Sequence, residues 1–267
     1  MPYLKLSEDY QPYYEIFDYT DPWEKSETIL FIHGFTENLT AWRAWIPHLS
    51  RKYRLLMFDI RGFGKTQPVD EAFKYSTDLF VDDIVRIVNH LIDEPVHVVS
   101  GKSGGISAMR FAATRPDLVR SLILTCPPLV APGSTDWLPY MLEHGVRSWA
   151  RKTMPARLGY DTSPKCIDWW VDMMGETAIS TVKAYLNWVI TTEPRLDMEH
   201  IKCPALVIMT ELSEQTNAAA GQLQPDVVRQ GMPQAEILVL DVDCYHAGGA
   251  LPDTCATATL QFLEKLS

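Results

Sequence analysis

Residues 96–109 read VHVVSGKSGGISAM: a short apolar run rich in β-branched residues, a glycine-rich corner, and then a helical pattern. A strand that breaks through a tight corner into a helix is the repeating unit of an α/β sheet. Lys102 and Ser103 both lie near the apex of the corner. Which of them occupies the tip decides the chemistry the corner can support.

Similar apolar runs recur on either side: ILFI (29–32), LLMF (55–58), LILT (122–125), ALVIM (205–209) and ILVL (237–240). Continuous rather than alternating apolarity is the mark of parallel strands buried on both faces. The intervening segments are amphipathic. In TDLFVDDIVRIVNHL, Leu79, Ile84, Val88 and Leu91 share one helical stripe, and Asp82 with Arg86 supports the wet side. The alternation predicts an α/β, doubly wound, mostly parallel sheet. YYEIFDY alternates instead, which predicts an antiparallel N-terminal hairpin at the sheet edge.

Between Thr125 and Pro204 the rhythm lapses for about 75 residues, too long for a loop without structure of its own. The expected division is a core of residues 1–128 and 199–267 carrying a helical cap at 129–198. The cap holds Trp137, Trp149, Trp169, Trp170 and Trp188 together with Met141, Met154, Met173 and Met174. These side chains either pack the cap onto the sheet or roof a pocket for an apolar ligand. Trp137, Trp169 and Trp188 are the candidates for substrate contact.

The chain has 267 residues, 46% of them hydrophobic, enough to bury one large core. A net charge of −10 without a Lys/Arg cluster argues against a nucleic-acid partner. No apolar run approaches the roughly 20 residues a membrane span needs, and MPYLKLSEDY is no export signal, so a cytoplasmic location is expected. Cys126, Cys166, Cys203, Cys244 and Cys255 form no CxxC pair, which suits reduced thiols rather than zinc. The GKT of DIRGFGKT lacks the earlier glycine of a phosphate loop, since Asp59 stands there. Asp59 and Arg61 are expected to hold that turn by side-chain hydrogen bonds. With no dinucleotide, metal or haem motif, no cofactor is expected. The expected partner is a small-molecule substrate, and oligomeric state is left open.

FIHGFTENLTAW (31–42), FDIRGFGKT (58–66), SGKSGG (100–105), RFAATRPDLV (110–119), KCPALVIMTE (202–211) and YHAGG (245–249), in that order, resemble the α/β-hydrolase fold superfamily. The likeness spans nearly the whole chain outside the insertion. It implies a tight turn at His33 and Gly34 that aims the N–H of Phe35 at a substrate oxygen, with a second donor in the residue just after the elbow, Ser103 if Lys102 is the tip. Gly34 and Phe35 would then border the substrate. His33 is expected to be a structural part of the turn, and His246, in a glycine-containing loop before the last helix, to be the general base.

Two registers of the corner stay open. Gly101-Lys102-Ser103-Gly104-Gly105 satisfies GxSxG and nominates Ser103 as nucleophile. Aligned by spacing on its two glycines and the following helix, the family pattern instead puts Lys102 at the tip, in the serine's place. The orienting acid is also displaced. The positions where the family carries Gly and, three residues on, the acid hold Thr210 and Ser213. Glu211 is the candidate substitute, with Glu214 and Asp243 nearby. Beyond LILT only Cys126 and prolines are available, so no complete Ser-His-Asp triad is legible.

A lysine at a helix N-terminus in an apolar pocket has its ammonium form disfavoured by the macrodipole and by desolvation. A neutral amine attacking an ester would leave a stable amide, whereas attack on a ketone or aldehyde gives an imine that water can release. The expected function is hydrolysis of an ester, lactone or C–C bond on a small apolar carbonyl compound, through Ser103, His246 and a displaced acid such as Glu211; the alternative is Lys102-dependent carbonyl chemistry by imine, or with the lysine as acid or electrophile, and the third reading a ligand-binding descendant that has lost its machinery.

Overall fold

The computed structural model describes residues 3–132, 136–211 and 224–266. Its centre is a seven-stranded sheet in the order β1-β3-β2-β4-β5-β6-β7. The strands are β1 Tyr14–Phe17, β2 Thr28–Ile32, β3 Arg54–Phe58, β4 Val96–Gly101, β5 Val119–Thr125, β6 Ala205–Thr210 and β7 Glu236–Leu240. Each predicted apolar run lies inside one of β2 to β7, all parallel. Every residue of β2, β4 and β6 is buried, as the unbroken apolarity requires.

The edge differs from expectation. β1 is antiparallel, but its partner is β3, with Tyr14 opposite Phe58, and beyond it only a bridge between Tyr3 and Tyr13 suggests a hairpin. Both edges of β2 are taken by β3 and β4, so the N-terminal strand can pair only at the next free edge.

Helices cover both faces. On one lie α1 Thr77–Leu91 and α2 Gly104–Thr114. Ser76 caps α1 by accepting from the Leu79 N–H, and Phe80, Ile84, Ile87 and Val88 form its buried stripe, while Leu79 and Leu91 are only half-buried. Asp83, also buried on α1, receives Arg61 in two bonds of 2.8 and 2.6 Å. Arg61 therefore leaves its own turn, which Asp59 holds by accepting from the N–H groups of Leu39 and Lys65. On the opposite face Trp42, Trp45 and Leu49 pack with the C-terminal helix through Cys255 and Phe262.

The described residues between β5 and β6 are mainly helical: α3 Trp137–Leu158, interrupted at Gly145 with φ +82°, α4 Pro164–Gly175 and α5 Ile179–Val189. They join the sheet layer through aromatic rings. Tyr185 of α5 stacks on Phe35 at 5.0 Å and meets Phe63, Tyr75 and Phe80 edge-on. Helices at Gln224–Gly231 (α6) and Pro252–Glu264 (α7) complete the described chain. No helix of the described residues is long and apolar enough to cross a membrane.

Candidate functional site

β4 ends at Gly101 and α2 begins at Gly104. Lys102, between them, has φ +50°, while Ser103 is already helical at φ −67°. Lys102 is therefore the tip of the bend, and the GxSxG register is not adopted. Three features hold the bend. The Lys102 N–H donates to the Thr125 carbonyl at 3.0 Å, the Gly105 N–H returns to the Lys102 carbonyl at 3.0 Å, and a Cβ on Gly104 would stand 2.5 Å from the His33 carbonyl oxygen. A left-handed conformation costs a non-glycine residue on the order of 1 kcal/mol, a strain that persists where the surrounding structure over-determines it.

The Lys102 side chain runs inward and its Nζ donates to the Tyr245 carbonyl at 2.9 Å, above the Tyr245 ring. Burial pushes its pKa down, and the Arg157 guanidinium adds to that shift; the thiols of Cys126 and Cys244 and the Glu37 carboxylate act in opposition without reversing it. The start of α2 further disfavours a positive charge there.

The carboxylate against His246 is Glu37. His246 Nε2 lies 2.8 Å from Glu37 Oε1, and both residues are buried. Because His246 Nδ1 accepts from the Gly249 N–H at 3.1 Å, the ring carries its proton on Nε2 and donates it to Glu37. Glu37 Oε2 accepts from the Gly34 N–H at 3.0 Å. Burial works to raise the Glu37 pKa, but its interaction and hydrogen bond with the His246 ring and the Gly34 N–H leave it below its ordinary value. Gly34 is wedged between Glu37 and Lys102. A Cβ there would meet Glu37 Oε1 at 3.1 Å and Lys102 Cβ at 3.2 Å, so a side chain at position 34 would press the two groups apart by a few tenths of an ångström.

The Phe35 N–H points into the same space, where it donates to Ser103 Oγ at 2.9 Å. Tyr185 brings its hydroxyl to Ser103, and burial raises its pKa to well above the ordinary phenol value. Ser103 thus faces an N–H donor and a phenol, while both ring nitrogens of His246 are engaged elsewhere.

Of the expected site residues, Lys102, Phe35 and His246 converge, with Ser103 beside them. Gly34 gives its N–H to Glu37. Glu211 is exposed beyond the end of β6, as is Asp243 in its loop, and Ser213 and Glu214 lie outside the described residues. Glu37 takes the place expected for Glu211; it lies in the HGFTEN turn, 209 residues from His246, and nothing in the local pattern marks its side chain as the partner of that ring. His33 is structural: Nδ1 donates to the Gly34 carbonyl at 2.9 Å and Nε2 accepts from the Ile60 N–H at 3.0 Å.

The tryptophans sort by helix geometry. Trp137 packs on Phe35 at 5.4 Å, and Trp188 braces Tyr185 from behind at 4.9 Å. Trp169 instead borders an outer groove of about 280 Å³ with Asn38 and Lys65, under the Arg43 guanidinium. Successive helical residues diverge by about 100°, so its neighbour Trp170 is the one that meets the His246 ring, at 5.0 Å. Among the described residues no three His, Cys, Asp or Glu side chains are grouped to hold a metal.

Residues 27–156 match the family model described as alpha/beta hydrolase fold. The chain is 28% identical over 121 residues to Epoxide hydrolase 3 of Xenopus tropicalis, covering 45% of this chain and 32% of that protein. It is 32% identical over 99 residues to the 2-hydroxymuconate semialdehyde hydrolase of Pseudomonas sp. (strain CF600), covering 36% of this chain and 35% of that protein. The aligned stretches span about a third of those relatives. The enol-lactonase from Burkholderia xenovorans LB400 superposes with a TM-score of 0.84 at 19% identity, over 98% of this chain and 100% of that one. The match to the family model over residues 27–156 and the superposition over nearly the whole chain agree on the architecture: the chain has the alpha/beta hydrolase fold.

Proposed function

We propose that this protein is an enzyme acting on a small carbonyl compound, with the Lys102 amine as nucleophile and the Glu37–His246 pair as proton carrier. The observation that carries the reading is the placement of a partly desolvated amine at the bend, beside a buried carboxylate–imidazole pair that has no bond to Ser103. The likeness to hydrolases, epoxide hydrolases among them, supports an enzymatic role, and the semialdehyde hydrolase and enol-lactonase names fit a carbonyl substrate. The lysine supports a route through an imine rather than through an acyl-serine.

The chemistry balances as follows for a β-hydroxy ketone. The amine adds to the carbonyl and passes one of its protons to the oxygen, which lies at the Phe35 N–H; a second proton, taken from solvent and returned when the iminium is finally hydrolysed, lets that hydroxyl leave as water and gives the iminium. The Glu37 carboxylate, held in place by the His246 N–H, takes the proton of the β-hydroxyl, the C–C bond breaks, and its electron pair moves into the iminium to leave an enamine and an aldehyde. Protonation of the enamine and addition of water release the ketone and restore the amine. The Ser103 hydroxyl, already bonded to the Phe35 N–H, marks where the substrate oxygen would lie.

Borohydride in the presence of a neutral ketone such as acetone tests this. The expected result is a stable mass increment on Lys102 that is absent from Lys102→Met, with no labelling of Ser103 by a fluorophosphonate. Labelling of Ser103 without any adduct on Lys102 would replace the imine route by ordinary acyl transfer.

A further inference from the structure

Arg157, near the end of α3, is a half-buried arginine that makes no ion pair among the described residues. Among the described residues every other arginine except the exposed Arg43 makes an ion pair. The Arg157 guanidinium lies over the Trp149 ring, 4.5 Å from its centroid, and its Nε is buried with no hydrogen-bond partner. An unpartnered buried donor on a cation is expensive, and such groups are paired when their site is filled.

Its position ties it to the lysine site from three sides. The Arg157 carbonyl accepts the N–H groups of Tyr245 and His246 at 3.2 and 3.0 Å, so the arginine and the histidine loop form one unit. Trp149, beneath the guanidinium, packs on Phe35 at 5.8 Å. The charge of Arg157 is felt at Lys102. Lys102, Ser103 and Arg157 all keep partial exposure while Phe35, Glu37, Trp149 and His246 are sealed around them.

We infer that Arg157 anchors a carboxylate of the substrate, so that the carbonyl compound taken by Lys102 is a keto acid. The inference rests on the carbonyl reading above and narrows it. A planar guanidinium stacked on an aromatic ring presents its remaining N–H groups as a fork that fits a carboxylate by two parallel bonds. The charges also follow the order the reaction needs. In the empty site burial, with the Arg157 charge adding to it, shifts the nearby amine towards its neutral, nucleophilic form. Once a carboxylate has neutralised the guanidinium, the cationic iminium that forms at Lys102 no longer meets an uncompensated neighbour.

The probes are 4-oxopentanoate, its neutral amide 4-oxopentanamide, and pentanoate and pentanamide, which have no ketone. Borohydride trapping on Lys102 should half-saturate at a concentration at least tenfold lower for the acid than for the amide. Arg157→Gln should bring that ratio to about one, and Arg157→Lys should fall between, with folding checked by circular dichroism. Equal half-saturation in the native protein, or a preference that survives in Arg157→Gln, overturns the inference. If neither ketone is trapped, the imine reading fails, and the anchor is then judged on tryptophan fluorescence. Quenching by pentanoate but not by pentanamide, lost in Arg157→Gln, supports it; equal responses to the two refute it.

Discussion

Lys102 is a residue whose setting sets its chemistry. Its amine is nucleophilic only when neutral, and burial with the Arg157 charge lowers its pKa from 10.5. The rate of imine trapping should therefore rise with pH and level off below pH 10.5, at a lower pH than for a solvated lysine; a mass-spectrometric pH profile measures this. Glu37 is the partner through which His246 acts. Glu37→Gln leaves the shape of the site but removes the proton acceptor, and turnover of a cleavable hydroxy ketone should fall about 100-fold or more, in the range expected for loss of an acid–base group. The same carboxylate gives a stability signature. Its folded pKa lies below the unfolded value near 4.5, so its stabilisation is fully present above that value and is lost as pH falls through the folded pKa. Denaturant unfolding below pH 4.5 should show a shallower acid loss for Glu37→Gln than for the native chain.

At the scale of elements, the bend between β4 and α2 depends on close approach. A Cβ at position 104 would stand 2.5 Å from the His33 carbonyl and 2.8 Å from that of Ile32, both backbone atoms that cannot step aside cheaply. Gly104→Ala should therefore destabilise the fold by roughly 1–3 kcal/mol and move Lys102 off its position, lowering imine trapping as well. Chemical denaturation together with borohydride labelling reads both effects. This element was legible because two glycines after the tip serve a packing need that leaves a mark in sequence. The choice between Lys102 and Ser103 was legible only by spacing, since the local pattern accommodates both. The strand ends at Gly101, and that end is set by its register with β5, where Gly101 faces Thr125.

Across the whole molecule, the helices between β5 and β6 rest on the sheet through Tyr185, whose ring meets Phe35, Phe63, Tyr75, Phe80 and Trp188. Tyr185→Ala should cost about 3–5 kcal/mol, the range for emptying a large buried aromatic site. Tyr185→Phe, which keeps the rings and removes the hydroxyl beside Ser103, should be much milder. Thermal or denaturant unfolding separates the two. The aromatic content of residues 129–198 foretold packing of this kind. It did not tell Trp170, on the His246 ring, from Trp169 in the outer groove, because that depends on how α4 is rotated against the rest of the chain.

Strand positions, the parallel sheet, the helical insertion and the sharp corner could all be read from residue order, because apolar periodicity and glycine placement are local records of burial and backbone shape. The pairing of His246 with Glu37, 209 residues away, could not. Hydrophobic pattern reports that a segment is buried, but a buried carboxylate carries no sequence mark of the partner that makes its burial affordable. That partner exists only once β2 and the last loop have been brought to the same end of the sheet, and the same convergence seats the Arg157 guanidinium over Trp149 beside the histidine loop, with no ion pair among the described residues.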